Sequence, residues 1–537
     1  MYIKNVLVLL ISVFIFQFSN AQEQFSVQIE PITINAAPSV HSYAWAKTTD
    51  EKWIIIGGRI DGLHQRQPFA AFLETANNTN VYLIDPINNQ TWSSALNVLP
   101  VPVFEQLQST NQEFYQRDNT LYVFGGYGFS TTANDHITYP NLTAIHVDEL
   151  ATAIMNATDI TPYFRQITNQ NFAVTGGQTD YMDPTFYLCG GQYFEGAYNP
   201  MGPDSGPGFI QNYTDEIRKF EILDDGTNLS IANYIAINDV DNLHRRDYNL
   251  SPQIFPNGER GATIFSGVFQ VLADLPFLNS VNISPSGYTV NNDFNQYLSQ
   301  YHSAKVPIYD AANNTMHTLF FGGMSQYTLD IDGNLVQDDN VPFVKTISKV
   351  TRLSDGSMVE SKLDIEMPSL LGAGAEFIPI INNDFYLDEH MVKLNNLPSE
   401  SVLIGYIYGG IDSTAENIFF VNDGTQSTAS SKIFKVFIDK SVLGIHETQI
   451  GAENIFNLSV YPNPSKDIFK LEFFIPSTKK HFIEVHDMLG KRIKSIEFER
   501  SIGKYTFPLD LSDFATGEYT VTIKSNMYLS KRKIIKN

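Results

Sequence analysis

The chain has 537 residues, of which 43% are hydrophobic, 13% aromatic and only 17% charged, and its formal net charge is −23. This composition excludes a disordered chain, and the length exceeds one core of ordinary size, so several domains or one repeated architecture is expected. Residues 1–460 carry a net charge of −28 and residues 461–537 carry +5. The acidic body argues against nucleic acid as a partner, and the asymmetry indicates two modules.

The N-terminal stretch "MYIKNVLVLLISVFIFQFSNAQ" places Lys4 before an apolar run over residues 6–16, followed by the small residues Ser19 and Ala21. This pattern predicts a secretory signal peptide over residues 1–21, and its apolar run is too short to span a bilayer. No other segment approaches membrane length, so we expect an exported chain without a transmembrane segment. The single cysteine, Cys189 in "FYLCGG", excludes an internal disulfide and is expected to be a small buried hydrophobe.

Apolar runs that end in a glycine pair recur along the chain. The pairs are Gly57 and Gly58, Gly125 and Gly126, Gly190 and Gly191, Gly322 and Gly323, and Gly409 and Gly410. A degenerate copy, "TIFSG", ends at Gly267. Further β-rich runs precede and follow most pairs, and the turns between them carry Asn-Asn, Asp-Gly and Pro, which favour hairpins. Each unit is therefore predicted to be a small antiparallel sheet.

The glycine pair, followed in the first unit by "VYLIDPINNQTW", resembles the Kelch repeat of β-propellers. The resemblance implies an all-β chain with a six-bladed Kelch-like β-propeller over residues 27–440. Seven blades stay open if residues 271–290 contain another blade. The glycines are then architectural, because they end the second strand of each blade beside the crowded channel.

The C-terminal segment has a different pattern. A polar linker over residues 441–457 leads to alternating strands that predict a small β-sandwich over residues 458–537. This module resembles the type IX secretion (Por-type) C-terminal sorting domain of Bacteroidota. The residues that carry the resemblance are Tyr461, Pro462, Asn463 and Pro464 in "YPNP", Gly490 in "DMLGK" and Gly517 in "LSDFATGEY". It implies that the type IX machinery is a partner and that the chain passes the periplasm to be secreted or held on the outer surface. The alternative is a generic adhesive sandwich.

No catalytic motif is present: the sequence has no G-x-S-x-G elbow, no H-E-x-x-H, no P-loop and no dinucleotide fingerprint. The eleven histidines are scattered singly, so neither a metal site nor a cofactor is predicted. Kelch propellers include copper-radical oxidases, but their Tyr-Cys crosslink and paired His ligands have no counterpart here. "LDIDGN" at residues 329–334 resembles the start of a calcium loop, although a plain Asp-Gly hairpin is the stronger prediction.

Long loops follow the glycine pairs and leave equivalent strand ends, so we expect them to crowd one face of the disc. We call this the loop face. The predicted ligand-binding residues are Arg59, His64 and Arg66 in blade one, Tyr193 and Tyr198 in blade three, and Arg245, Arg246 and His302 at the entrances to blades four and five. Arginine suits carboxylates, histidine is a switchable donor, and the aromatic rings suit sugar stacking. Local pairing of these arginines with Asp or Glu is the competing interpretation.

Three functions follow. The first is a secreted or cell-surface propeller that binds an unknown glycan or protein ligand without catalysis. The second is a sugar-acid-modifying enzyme resembling Kelch sialic-acid mutarotases, and the third is a structural adhesin. A deep channel with converging Arg, His and carboxylates favours the enzyme, whereas a shallow aromatic-rich face favours binding.

Overall fold

The computed structural model describes residues 25–202, 204, 206, 208–330, 333–440, 447–450, 456, 458–475, 480–487, 491–500, 503–525 and 529–537. The predicted signal peptide over residues 1–21 and Gly490 of the sorting motif lie outside the described residues.

Six antiparallel sheets, each with a four-stranded core, form the blades of a β-propeller, which confirms the predicted fold class. In blades one to five the strand nearest the channel comes first in sequence. The strands of blades one and two are Ala44–Lys47, Trp53–Ile56, Asn80–Asp85 and Gln90–Ala95, then Glu113–Arg117, Thr120–Phe124, Asn141–His146 and Phe164–Thr168. Those of blades three and four are Gln178–Met182, Thr185–Cys189, Glu216–Asp224 and Leu229–Asn238, then Asn249–Ile254, Arg260–Phe265, Ser280–Ser284 and Gly287–Asn291. Those of blades five and six are Ala304–Asp310, Thr315–Phe321, Thr346–Arg352 and Met358–Glu366, then Leu370–Pro379, Val402–Ser413, Ile433–Asp439 and Ser26–Ile32.

Blade six joins the two ends of the propeller. Its outermost strand, Ser26–Ile32, comes from the N-terminal part of the chain and pairs antiparallel with Ile433–Asp439. The first and last blades are thus fastened by a complete β ladder. The alternative of a seventh blade does not hold, because Ser280–Ser284 and Gly287–Asn291 are the third and fourth strands of blade four.

A closed ring of six backbone hydrogen bonds surrounds the loop-face end of the channel, where the first strands begin. Each blade donates one N–H to the carbonyl of the preceding blade over 2.7–3.1 Å. The bonds run from Ser42 to Gly374, Asn111 to Ser42, Gly176 to Asn111, Asp247 to Gly176, His302 to Asp247 and Gly374 to His302. Since the ring returns to its starting residue, it closes the propeller at six blades.

The apolar second strands are buried on both faces because each blade packs between two neighbours. Ile54 and Ile56 of blade one pack in a core that includes Leu121 of blade two. Trp53 and Ile55 point the other way, into a core shared with blade six. Alternating side chains therefore reach two cores, which explains an uninterrupted apolar run before each glycine pair.

The glycine pairs take the left-handed region directly after the second strands of blades one, two, three and five. The prediction that a pair ends the second strand is wrong for blade six, where Gly409 and Gly410 have φ +71° and +92° but lie inside the strand Val402–Ser413. Gly57 has φ +68° and Gly58 has φ +81°, and a Cβ on Gly57 would lie 2.6 Å from Gln112 Oε1. In the degenerate blade four, Ser266 takes the first position with φ +53°. The turn therefore keeps its conformation where the glycine is lost.

Several hairpins and short helices connect the blade strands. The hairpins on the long loops are Tyr127–Ser130 with Asp135–Thr138, Gln192–Glu195 with Ile210–Tyr213, and Tyr327–Leu329 with Leu335–Gln337. Of "LDIDGN" at residues 329–334, residues 331 and 332 lie outside the described residues, and the Asp330 N–H donates to the Asn334 carbonyl over 3.0 Å. The α-helices are Val101–Leu107, Val147–Met155 and Val240–Leu243, and the 3-10 helices are Pro68–Ala70, Glu74–Ala76, Leu96–Val98, Thr161–Tyr163, Gln170–Phe172 and Leu394–Asn396. Among the residues that the structure describes, no helix has the length and apolar character needed to cross a membrane.

Three further pieces extend the blade sheets. Tyr386–Leu387 and Met391–Lys393 form a hairpin whose second strand pairs in parallel with Ala304–Asp310, the innermost strand of blade five. Ser427–Ala429 pairs with the long second strand of blade six. Within the predicted linker, Glu447–Ile450 pairs with the outermost strand of blade five.

The C-terminal module contains two antiparallel sheets around one core. One sheet contains Ser459–Tyr461, Ile468–Ile475 and Gly503–Asp510. The other contains His481–Asp487, Arg492–Phe498, Gly517–Ser525 and Leu529–Lys536. Phe469, Val485 and Val521 are fully buried in the shared core. The module is therefore a small β-sandwich, as the sequence predicts.

Candidate functional site

The loops of blades one, three and six meet over the loop face through a group of rings. The His64 ring lies 5.6 Å from Phe72, 4.8 Å from Tyr198 and 5.5 Å from Phe419, centroid to centroid. Burial among these rings lowers the pKa of His64 to about 4, so the imidazole is neutral at pH 7. His64 is therefore not the switchable donor that the sequence predicts. It belongs to a group of four rings that we call the aromatic wall (His64, Phe72, Tyr198 and Phe419).

Arg59 lies beneath this wall and is already bonded. Its Nε and Nη2 donate to the two carboxylate oxygens of Asp61 over 2.8 and 2.6 Å, and Nη1 donates to Asn77 over 3.0 Å. Arg59 is 2% exposed, whereas the Asp61 side chain is 36% exposed. Burial raises the pKa of Asp61, but the bonds from His41 and Arg59 outweigh it and hold that pKa at about 2. The charged group of this pair that is exposed to solvent is therefore the Asp61 carboxylate.

Arg66 ties three loops together. Its Nη1 donates to the carbonyl of Pro200 over 2.6 Å, and its guanidinium lies 5.3 and 5.2 Å from the ring centroids of Phe419 and Phe420. Next to it the loop face exposes apolar side chains, since Phe420 is 61% and Phe69 82% exposed. The rim of the face is thus aromatic and carries a cation.

The neighbouring residues Arg245 and Arg246 diverge. Arg245 is fully buried, and its guanidinium donates to the carbonyls of Asn242, Ser266 and Asn279, so it braces the loops of blade four. Arg246 instead donates from Nη1 to the hydroxyl of Tyr213 over 2.5 Å. Of the two, only Arg246 faces the groups at the channel mouth.

Arg246 belongs to a polar cluster at that mouth. It lies 3.3 Å from the Asp247 carboxylate through Nε, and it stacks over the rings of Tyr213 and Phe269 at 5.4 and 5.1 Å. Burial raises the pKa of Asp247, although the charges of Arg246 and His302 oppose that shift. The Asp247 side chain keeps 28% exposure, so the pair is accessible to a ligand.

Below the ring, polar side chains of blades five and six come together inside the channel. His302 Nε2 lies 2.8 Å from Glu376 Oε1. Burial raises the pKa of Glu376, but His302 and Lys305 outweigh it and leave the pKa below its ordinary value. Burial also lowers the pKa of Lys305. These residues line a cavity of about 150 Å³.

The far end of the channel, where the first strands end, is covered by the hairpin of residues 386–393. His390 lines the same cavity and its ring lies 5.1 Å from the Tyr115 ring. Burial lowers the pKa of His390 to about 4, so its imidazole is uncharged at pH 7. The channel therefore opens toward the loop face.

The other predicted residues are placed as follows. Tyr193 lies on the hairpin strand Gln192–Glu195, donates to Glu195 over 2.6 Å, and is not one of the rings around His64. Cys189 is buried in the second strand of blade three, and burial raises the pKa of its thiol. In the described part of the chain, no group of three His, Cys, Asp or Glu side chains is placed to hold a metal ion.

Sequence reasoning missed Phe419, Asp247, Lys305 and Glu376. One signal for Glu376 was available: "AEF" at residues 375–377 parallels "QEF" at residues 112–114, and each glutamate follows by two residues the member of the hydrogen-bonded ring in its blade, Gly374 or Asn111. Aligning first strands as well as glycine pairs would have shown a carboxylate facing the channel. Phe419 has no such signal, because it comes from a loop particular to blade six.

Comparisons with known proteins give structural matches of low similarity for the chain and a family match for its C-terminal module. Among solved structures, a structure of YjhT is 13% identical with a TM-score of 0.41, and the match covers 74% of this chain and 99% of that chain. A fungal alcohol oxidase of the AA5 family, in complex with copper, is 8% identical with a TM-score of 0.35, and the match covers 95% and 99%. TM-scores below 0.5 carry no argument about fold or activity. No curated protein matches the chain.

One family match is specific. Residues 459–537 match the family described as the secretion system C-terminal sorting domain. The matched range contains both sheets of the C-terminal module, and it begins one residue after the predicted boundary at residue 458. This segment is therefore a type IX sorting domain, which directs the chain to the cell surface or the extracellular space.

Proposed function

We propose that this chain is a Kelch-type propeller of a Bacteroidota cell that binds a carbohydrate or protein ligand at its loop face after export. The proposal extends to the module boundaries: a signal peptide over residues 1–21, the propeller over 27–440, a linker over 441–457 and the sorting domain over 458–537. The observation that carries the binding function is the aromatic wall, because rings from three blades converge there above a channel open on that side.

The chemistry of the loop face suits a ligand with both apolar and hydroxyl-rich surfaces. Exposed Phe69 and Phe420 offer flat apolar area, against which sugar rings or aromatic side chains stack. Asp61 and the Arg246–Asp247 pair offer acceptors and donors a short way inside the rim. Pairs of this kind orient a polar ligand more than they add affinity.

A glycan and peptide array probed with the full exported chain tests this function. We expect binding to at least one class and a loss of tenfold or more in Phe420→Ala and Tyr198→Ala. The matched control is Ile235→Ala, which removes a 58% exposed side chain from the outermost strand of blade three and should stay within twofold of wild type. Equal binding by all four proteins would place the site elsewhere. Binding to neither class would favour a structural adhesin.

A second function, modification of a sugar acid, is supported by one observation. Arg246, His302 and Glu376 converge at the mouth and upper channel, and this arrangement offers a cation for a carboxylate and groups for proton transfer. NMR of the anomers of N-acetylneuraminic acid tests it directly. Faster interconversion with wild type than with His302→Asn would support the enzyme, and interconversion at the rate of buffer alone would reject it.

A further inference from the structure

A second cavity, of about 310 Å³, lies at the opposite end of the first strands from the loop face. Its lining comes from the end of the blade-one first strand, the first hairpin turn of blade two and the segment that follows the blade-six first strand. The side chains that matter here are Lys47, Thr49, Asn119, Asn383 and Glu389. None of them belongs to the loop-face site.

The strand Ala44–Lys47 directs Lys47 into this cavity. Side chains alternate along the strand, and Ala44 and Ala46 enter the core that blade one shares with blade two. Trp45 and Lys47 therefore point toward blade six. The strand end is held in place because the Lys47 N–H donates to Gln116 Oε1 over 2.7 Å and the Gln116 amide returns a bond to the Lys47 carbonyl over 2.8 Å.

The Lys47 residue is largely buried, and its amine makes no direct bond to a described residue. The residue is only 6% exposed, and among the described residues no hydrogen bond or ion pair reaches its Nζ. The carboxylates that face it are Glu51 and Glu389, which favour the charged amine, but burial outweighs them and lowers its pKa to about 8. The Glu51 carboxylate is itself bonded to the Ile381 N–H over 2.6 Å. A lysine in this setting keeps a neutral, nucleophilic fraction at pH 7.

The lining decides which electrophile fits. Carboxylates of Asp118 and Glu389 at the cavity repel anions, whereas the Asn383 amide can bond to neutral hydroxyl groups. Thr49 and Asn119 already donate to Asp148 and Glu149, so they can offer a ligand the Thr49 lone pairs and the second Asn119 N–H. A small hydroxy-aldehyde, such as the open-chain form of a reducing sugar, combines a carbonyl carbon with such hydroxyls. The cavity volume is sufficient for a molecule of this size.

We propose that Lys47 captures small hydroxy-aldehydes in this cavity as a reversible imine. The lone pair on Nζ attacks the carbonyl carbon, and the carbonyl oxygen takes up a proton to give a carbinolamine. Loss of that oxygen as water then forms the C=N bond, so one aldehyde and one amine give one imine and one water. This site is independent of the ligand proposed for the loop face.

Reductive trapping tests the proposal. The full chain is incubated at pH 7 with glyceraldehyde and cyanoborohydride, and adducts are located by peptide mass spectrometry. With a pKa of about 8, about one tenth of Lys47 is neutral at pH 7, compared with a few parts in ten thousand at the ordinary value of 10.5. We expect Lys47 to be modified at least ten times faster than Lys432, whose side chain is 47% exposed. Modification no faster than that of Lys432 would overturn the proposal.

A pH series on the same wild-type protein gives a second readout that needs no variant. The rate at Lys47 should rise about tenfold between pH 6 and 7 and level off above pH 8, whereas the rate at a lysine with the ordinary pKa rises until about pH 10. The variant Lys47→Arg should lose the adduct while Lys432 keeps its rate. A Lys47 rate that keeps rising until about pH 10 would show an ordinary lysine and contradict the inference.

Discussion

The two ends of the channel are built in different ways. At the loop face, six equivalent residues close a hydrogen-bonded ring, and the same strand–turn unit recurs in every blade. At the far end, one hairpin over residues 386–393, inserted between the first two strands of blade six, covers the opening. The repeated strand–turn unit therefore forms the mouth of the channel, whereas a single inserted hairpin covers its far end. The following variants test that contrast.

The largest effect is expected at the far end, from Arg260→Ala. Arg260 donates from Nη1 and Nη2 to the two oxygens of Asp180 over 2.9 and 3.0 Å, and Asp180 is 3% exposed. Removing the arginine leaves a buried carboxylate without its cation and should lower the free energy of unfolding by about 3 to 5 kcal/mol. The matched control, Asp388→Asn, alters the exposed partner of the same arginine in the covering hairpin and should cost below about 1 kcal/mol. Equal losses in urea unfolding would show that the hairpin contact matters as much as the channel wall.

At the mouth, Gly125→Ala should cost about 3 kcal/mol. Gly125 has φ +57°, and a Cβ there would lie directly against the carbonyl oxygen of Val174 in the next blade. Left-handed strain and the backbone clash both contribute. Gly258→Ala separates them, because its φ is +83° but nothing lies within 4 Å of its Cβ position. That control should lose only about 1 kcal/mol, from the left-handed conformation alone. A loss at Gly125 as small as at Gly258 would refute close approach of the blades.

Glu113→Gln should stabilise the propeller increasingly as pH rises. Burial raises the pKa of Glu113 to about 8, and only one of its oxygens has a partner among the described residues, the Gly177 N–H at 2.8 Å. The ordinary pKa is 4.5, so the wild-type protein loses stability as pH rises from 4.5 to 8, by at most about 1.4 kcal/mol per pH unit. Glutamine removes that loss. Thermal unfolding at pH 5 and pH 8 should show an advantage of about 3 kcal/mol more at pH 8.

Glu360→Gln is the matched comparison for this titration. Burial likewise raises the pKa of Glu360 to about 8, but its two oxygens accept from the Tyr297 and Leu298 N–H groups over 2.7 and 3.1 Å. An amide NH₂ would face one of these donors, so the variant should lose about 1 to 2 kcal/mol at pH 5. Stabilisation of both variants at pH 5 would show that the backbone donors do not distinguish the two carboxyls.

The smallest effect is expected from Ser266→Gly in the degenerate blade four. Relief of the left-handed strain at φ +53° should offset the lost bond from its Oγ to the Phe277 carbonyl over 2.6 Å. The free energy of unfolding should stay within about 0.5 kcal/mol of wild type. A loss above about 2 kcal/mol would show that the serine hydroxyl, and not the turn geometry, holds this blade.

The same contrast separates what the sequence predicts from what it does not. Glycine pairs predict the second strands and the loop face, because a short apolar run followed by a left-handed turn is encoded locally. The pairing of Ser26–Ile32 with Ile433–Asp439 and the covering hairpin are not predictable in this way, since their partners are distant in sequence. The predicted number of blades depended on residues 271–290, where a loop leads to the third strand and most of the fourth strand of blade four, and no glycine pair marks these strands in the sequence.

The site was predictable as a set of loops but not as a set of contacts. Arg59 and Arg246 are both arginines near strand ends, yet one is 2% exposed and bound to Asp61 while the other faces the mouth. That difference arises from neighbours on other loops, which sequence spacing does not reveal. Glu376 could have been predicted by aligning the first strands. Lys47 could not, because only the structure shows that the end of its strand is buried.

Hydrogen–deuterium exchange of the full chain, with and without the strongest ligand from the array, tests the loop-face claim most directly. We predict slower exchange in the loops over residues 59–79, 192–213 and 411–430, which carry the aromatic wall and its surroundings, and no change in residues 380–396 at the far end. Protection confined to the outer strands of the blades, or to residues 380–396, would contradict a binding site on the loop face.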